Sequence, residues 1–219
     1  MTYIAWALYV EGPTDSEYLK VLIPRLIGHL LRGSNGALTT VPELPAHIFG
    51  IPRLDLDRIA SRVCEGRDAF HILFVHGDTG GRALADQLPN RTCALCRRIE
   101  ENCGFPRSRC VVAAPNREIE AWTLADISAL RRVFGLSANA SVRSLPTAPT
   151  EVESLRDPKR VTQDFLQSIQ RGTRNRKTRW PFELIAQEQE INLLLQVPSF
   201  ARFSAALRDA LRGLGHPDI

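Results

Sequence analysis

Residues 3–31 read YIAWALYVEGPTDSEYLKVLIPRLIGHLL. Tyr3 to Val10 is aromatic and β-branched enough for a buried strand. From Thr14 to Leu31 the apolar residues Tyr18, Leu19, Leu22, Ile23, Leu26, Ile27, Leu30 and Leu31 recur at helical spacing. The chain therefore opens strand, turn, helix. Working outward, Gly33 to Gly36 reads as the helix exit, Ala46 to Ile51 as a short second strand, and Leu54 to Glu65 as a helix. Phe70 to Val75 (FHILFV) is a continuous apolar run, as expected of a strand covered on both faces at the sheet centre. Thr92 to Cys103 has helical spacing, Cys110 to Ala114 (CVVAA) reads as a strand, and Arg117 to Asp126 begins a helix after Pro115. This alternation predicts an α/β fold with a mainly parallel, doubly wound, Rossmann-like sheet flanked by helices. Ser137 to Thr150 turns to Ser, Ala, Thr and Pro. Beyond it Pro158 to Gln170, Pro181 to Glu190 and Ser199 to Leu211 are helical in pattern. The expected division is residues 1–136 as the α/β domain and 137–219 as a linker with a helical C-terminal extension packed on it.

With 219 residues, 44% of them hydrophobic, the chain can bury a full core. Its formal charge of +4 permits nucleic-acid binding without requiring it. The opening apolar run lacks a basic region before it and meets Glu11 too soon for a signal peptide or a membrane span. Five cysteines without a secretory signal predict free thiols in the cytoplasm. There is no Walker lysine after a glycine loop, no GxGxxG opening a helix and no HExxH, which disfavours nucleotide hydrolysis by this chain alone.

In a parallel sheet the loops leaving the carboxyl ends of the strands open on one edge. Glu11 follows the first strand, Asp78 follows FHILFV, and Glu118 with Glu120 follows CVVAA. Asp15, one helical turn beyond Glu11, would point at the same place. Crowded carboxylates repel one another and call for a cation, and Mg²⁺ or Mn²⁺ suits their hard oxygens. Each piece also has a local explanation. Thr14 and Glu17 fit a capping box, HGDTGG a Gly-rich turn, and Glu118 and Glu120 the first turn of a helix. What those explanations do not predict is acids after three separate strands.

The same residues carry a resemblance. VEGPTDSEYLKVLIPRL resembles the first motif of Toprim domains of the OLD nuclease type, and FVHGDTGG resembles the second. PNREIEAWTLAD is similar to the third segment in the Toprim-like family called domain of unknown function 4276, as are DPKR (Asp157 to Arg160) and VPSFARFSAALR (Val197 to Arg208). The resemblance implies a Toprim fold and metal-dependent phosphodiester hydrolysis, often in bacterial anti-phage defence beside a partner ATPase. Glu11 and Asp15 would be the first-motif acids, Asp78 the second-motif acid, and Glu118 or Glu120 the third. The second motif departs at its first position, where His76 replaces the usual Asp. His76 is thus either a ligand that shifts preference toward Mn²⁺ or a turn histidine that touches no metal. OLD-type nucleases also use a lysine near the metals. Lys159 and Lys177 are the candidates, Lys20 being the third lysine of the chain.

RGTRNRKTRW gathers Arg171, Arg174, Arg176, Lys177 and Arg179 before Trp180 without an acid, a block that would neutralise DNA or RNA phosphates while the indole offers a stacking face or closes on the core. Cys93, Cys96, Cys103 and Cys110 invite a zinc reading, but their spacing matches no common ribbon and buried small hydrophobes account for them better. Two readings compete with a nuclease: a non-catalytic Toprim-like interaction or sensor subunit, and a flavodoxin-like binder of small molecules.

Overall fold

The structure is a computed structural model and describes residues 2–32, 39–50, 55–80, 91–137, 145–170, 179–217 and 219. Strands β2 (Trp6–Val10), β4 (His47–Gly50), β5 (Ile72–His76) and β6 (Cys110–Ala113) form an all-parallel sheet in the order β4, β2, β5, β6. A small parallel pair joins β1 (Thr2–Tyr3) to β3 (Thr39–Thr40). Every residue of β2 and β5 is buried, because alternate side chains enter two different cores. Trp6, Leu8, Val10, Ile72 and Phe74 enter one, whereas Ala7, Tyr9, Leu73 and Val75 enter the other. That is why FHILFV shows no polar alternation.

Helix α1 (Pro13–Leu31) packs in the first core. Helices α2 (Leu56–Glu65) and α3 (Thr92–Cys103) pack in the second, through Ile59, Val63, Leu95 and Ile99. After β6 come α4 (Ile119–Thr123), α5 (Ile127–Val133), α6 (Pro158–Gln170), α7 (Phe182–Glu188), α8 (Ile191–Leu194) and α9 (Pro198–Gly213). The helical C-terminal region shares the first core. Phe203 lies edge-on to Phe74 of β5, with ring centroids 6.0 Å apart, and stacks on Trp122.

Gln189, fully buried, ties this region to α1. It accepts from the Tyr18 hydroxyl at 2.6 Å and donates to the Trp122 carbonyl at 2.8 Å, while Arg25 of α1 donates to the Ala186 and Gln189 carbonyls. Removing the amide leaves the buried Tyr18 hydroxyl without its acceptor and takes one of the donors from the Trp122 carbonyl. Gln189→Ala is expected to cost about 2–4 kcal/mol, read from urea denaturation, and a loss below about 0.5 kcal/mol would contradict this hub.

Several local expectations are corrected. The N-cap of α1 is Gly12, whose N–H donates to Asp15 Oδ2 at 3.0 Å, so the capping acid is Asp15 and not Glu17. Glu17 instead pairs with Arg179 at 3.0 Å. Trp180 is no stacking face: it is buried and donates its ring N–H to Thr123 Oγ1 at 3.0 Å. The five free thiols are also overturned. Cys64 is bonded to Cys103 and Cys96 to Cys110, with Cys93 free. The odd count concealed two pairs because α2, α3 and β6 share one face of the sheet, with Cα–Cα separations of 5.7 and 6.0 Å that suit a bridge. The four cysteines of the zinc reading are thereby not one cluster. The expected helix exit at Gly33 to Gly36 and residues Arg171, Arg174, Arg176 and Lys177 lie outside the described residues. Among the described residues no helix is long and apolar enough to cross a membrane.

Candidate metal centre

The register of the sheet gathers the acids. Glu11 leaves the end of β2, His76 ends β5 with Asp78 two residues on, and Glu118 is the N-cap residue of α4 after β6. Because the three strands are parallel neighbours, all three exits open on one edge. Asp15 joins them from the first turn of α1. His76 Nδ1 donates to the Ala113 carbonyl at 2.9 Å, which orients the ring and leaves Nε2 3.6 Å from Asp15 Oδ2 and 3.5 Å from Asp78 Oδ1. At those distances the contacts are ion pairs rather than made hydrogen bonds.

Two basic groups of the chain itself answer the crowding. One is His76. Burial works against its charged form, but Asp78 and Asp15 outweigh burial and hold its pKa above the usual value. The other is Arg91, which donates to Glu11 Oε1 at 2.6 Å and to the Asp78 carbonyl at 3.3 Å. Burial raises the pKa of Glu11, Arg91 and His76 oppose the shift, and Asp78 and Asp15 add to it. Burial raises Asp15 as well.

The third strand exit is held by a strained residue. Arg117, at φ 76°, adopts a left-handed conformation immediately before Glu118. Its N–H donates to Thr79 Oγ1 at 2.7 Å and its carbonyl accepts from Gly80 at 3.0 Å, so the loops after β5 and β6 are bonded to each other. This pairing keeps Asp78 and Glu118 in company. Glu120 feels both: burial pushes its carboxyl up to about 7, Glu118 and Asp78 add to the shift, and Lys159 at the start of α6 opposes it.

The raised Glu120 carries a pH signature. Between the ordinary glutamate value and about 7 the folded chain retains a proton that the unfolded chain has released. Stability of the metal-free protein therefore falls as pH rises through that window. Glu120→Gln is expected to remove the fall, making the variant about 1–2 kcal/mol more stable than wild type at pH 8 once solvent screening is allowed for. Melting curves in EDTA at pH 5 and pH 8 check it, and parallel pH profiles for the two proteins would contradict it.

The sequence-derived residues thus fall into place unevenly. Glu11, Asp15, His76 and Asp78 are in one cluster, and Glu120 adjoins it through Asp78, with Glu118 and Lys159 acting on Glu120. Arg179, mostly exposed, sits against Glu17 of the helix that carries Asp15. Arg174, Arg176 and Lys177 are among the residues not described. Sequence reasoning missed Arg91. Its one signal was an arginine at the N-cap of the Thr92–Cys103 helix, where Ser, Thr, Asp or Asn is usual.

As a metal site the edge is partly made. Among the described residues no three His, Cys, Asp or Glu side chains close into a metal cage. The carboxylate donors are nonetheless hard, and Asp78 Oδ1 and Glu118 Oε2, with the borderline His76 Nε2, are buried without a hydrogen-bond partner. Such orphans are costly, and a divalent ion would satisfy them.

No family model matches this chain, nor does any curated protein or solved structure. The reading of function therefore rests on this edge and on the motifs that build it.

Proposed function

We propose that the chain is a Toprim-type, divalent-metal-dependent nuclease that hydrolyses phosphodiester bonds of DNA or RNA in a bacterial anti-phage system, beside a partner ATPase. The observation that carries this reading is the meeting of Glu11, Asp15, Asp78 and the Glu118 segment at one sheet edge with buried donor atoms unpaired. Glu11, Asp15 and Asp78, with Glu118 or Glu120, would hold Mg²⁺ or Mn²⁺. His76 Nε2 would join them when unprotonated. Bound there, the ion would polarise a phosphoryl oxygen and supply an activated water. Lys159 would offset charge that develops on the phosphate, and Arg174, Arg176, Lys177 and Arg179 would guide the strand.

The test is cleavage of supercoiled plasmid, single-stranded DNA and RNA with Mg²⁺ or Mn²⁺ against EDTA, with the ATPase partner added where its gene is adjacent. Metal-dependent nicking or shortening is expected. Equal inactivity on every substrate with and without metal, despite measurable Mn²⁺ binding, would overturn the reading.

One observation favours a second reading, a non-catalytic interaction or sensor subunit. Arg91, and His76 when protonated, already supply positive charge to the acids, so the edge stands without a metal. Calorimetric titration with Mn²⁺ followed by the same cleavage assay separates the two.

A further inference from the structure

Facing Glu11 across the edge is the amino end of α3. That helix has twelve residues, and its N-cap residue Arg91 makes no side-chain hydrogen bond to the first turn, so among the described residues the leading N–H groups stand uncapped at the positive end of the helix dipole. Its first residue, Thr92, is only 6% exposed, yet Oγ1 has no hydrogen-bond partner. The hydroxyl of Tyr9, a residue only 1% exposed, has none either. Gly77 lets these groups approach. A Cβ there would stand 2.8 Å from Thr92 Cγ2 and 3.6 Å from Glu11 Oε1, so bare backbone is what separates the helix end from the carboxylate. Arg91, at the N-cap, leans over the same gap with its guanidinium on Glu11. Two disulfides tie α3 to α2 and to β6, which holds its amino end in register with the edge.

Among the described residues the uncapped N–H groups and the two hydroxyls are donors without acceptors, and Arg91 adds a charged donor beside them. Their chemistry is that of an anion site, with Arg91 resting on Glu11 Oε1 and the Asp78 carbonyl. We propose that the amino end of α3, with Arg91, Thr92 and Tyr9, is the subsite that binds the non-bridging oxygens of a nucleotide phosphate beside the acidic edge. Arg91 is the residue that changes partner, resting on Glu11 and moving to phosphate when a cation takes the carboxylate. The inference deepens the nuclease reading and rests on it for the nature of the ligand.

The probe is thymidine 5′-monophosphate, which contains no phosphodiester to cleave, titrated into the full chain in Mg²⁺ by calorimetry, with thymidine as the control. Wild type is expected to bind the monophosphate and not thymidine. Arg91→Gln is expected to weaken binding about 10- to 100-fold and Thr92→Val about 3- to 10-fold, the loss of a charge-assisted and of a neutral hydrogen bond. Arg91→Lys should recover part of the loss. Mn²⁺ affinity should stay level or rise in Arg91→Gln, because Glu11 is released, whereas an arginine that only supported the fold would weaken metal and phosphate together. Thr92→Val keeps the test open if Arg91→Gln misfolds. The proposal is overturned if wild type ignores the monophosphate or if the folded variants bind it as tightly as wild type. Because no turnover is needed, these outcomes are separate from a failure to cleave nucleic acid.

Discussion

Glu11→Ala is expected to lower metal-dependent cleavage by more than about 100-fold while leaving the chain folded. Outer-shell partners of a metal already cost about 10- to 100-fold when removed, and a first-motif ligand sits closer to the chemistry. Glu11 also stands where three influences meet: it leaves the central strand β2, it feels Asp15, Asp78 and His76, and it anchors Arg91. Stability should respond little. The side chains of Glu11 and Arg91 are 28% and 34% exposed, so the freed guanidinium turns to water, and removal of one raised carboxylate relieves its neighbours. Circular dichroism and a melting curve establish the fold, and the plasmid assay reads the activity. Cleavage by this variant at the wild-type rate would remove the mechanism.

The largest effect on stability is expected from reduction of the two disulfides. Cys64–Cys103 spans 39 residues and Cys96–Cys110 spans 14. Loop-closure entropy assigns them about 4 and about 3 kcal/mol, values that native-state strain and residual structure in the unfolded chain reduce in practice. A net loss of about 5 kcal/mol corresponds to a fall of roughly 10–20 °C in Tm for a domain of this size. Both bonds act on α3, one near its middle and one at its end, so reduction should loosen the helix that presents Arg91 and Thr92. Scanning calorimetry with and without dithiothreitol measures the shift. Thiol counting in denaturant without reductant should find Cys93 alone, and five reactive thiols together with an unchanged Tm would refute the pairing.

Much of the fold was legible because burial writes itself into the apolar pattern. The spacing of Tyr18, Leu22, Ile23 and Leu26 read α1 to within a residue, and FHILFV read a central strand because both its faces are covered. Thr92 to Cys103 and Pro158 to Gln170 matched their helices end to end. Caps and pairings were less legible. Asp15 and Glu17 are both acids in the first turns of α1, and which one caps Gly12 depends on the direction each side chain takes. For the same reason the sequence left Trp180 open between a stacking face and the core and misread the cysteines as free: an indole beside arginines and thiols on a helix face do not announce what packs against them.

The amino-acid order by itself determined the succession of strands and helices, hence a parallel sheet, and hence that Glu11, Asp78 and Glu118 leave strand ends on one side. Only the tertiary structure decided what meets those acids there. Arg91 reaches Glu11 across 80 positions of sequence, and the backbone of Arg117 grips Thr79 across 38. Periodicity records whether a side chain faces core or water. It carries no information on which polar group, brought from a distant segment by helix packing, will satisfy a given charge.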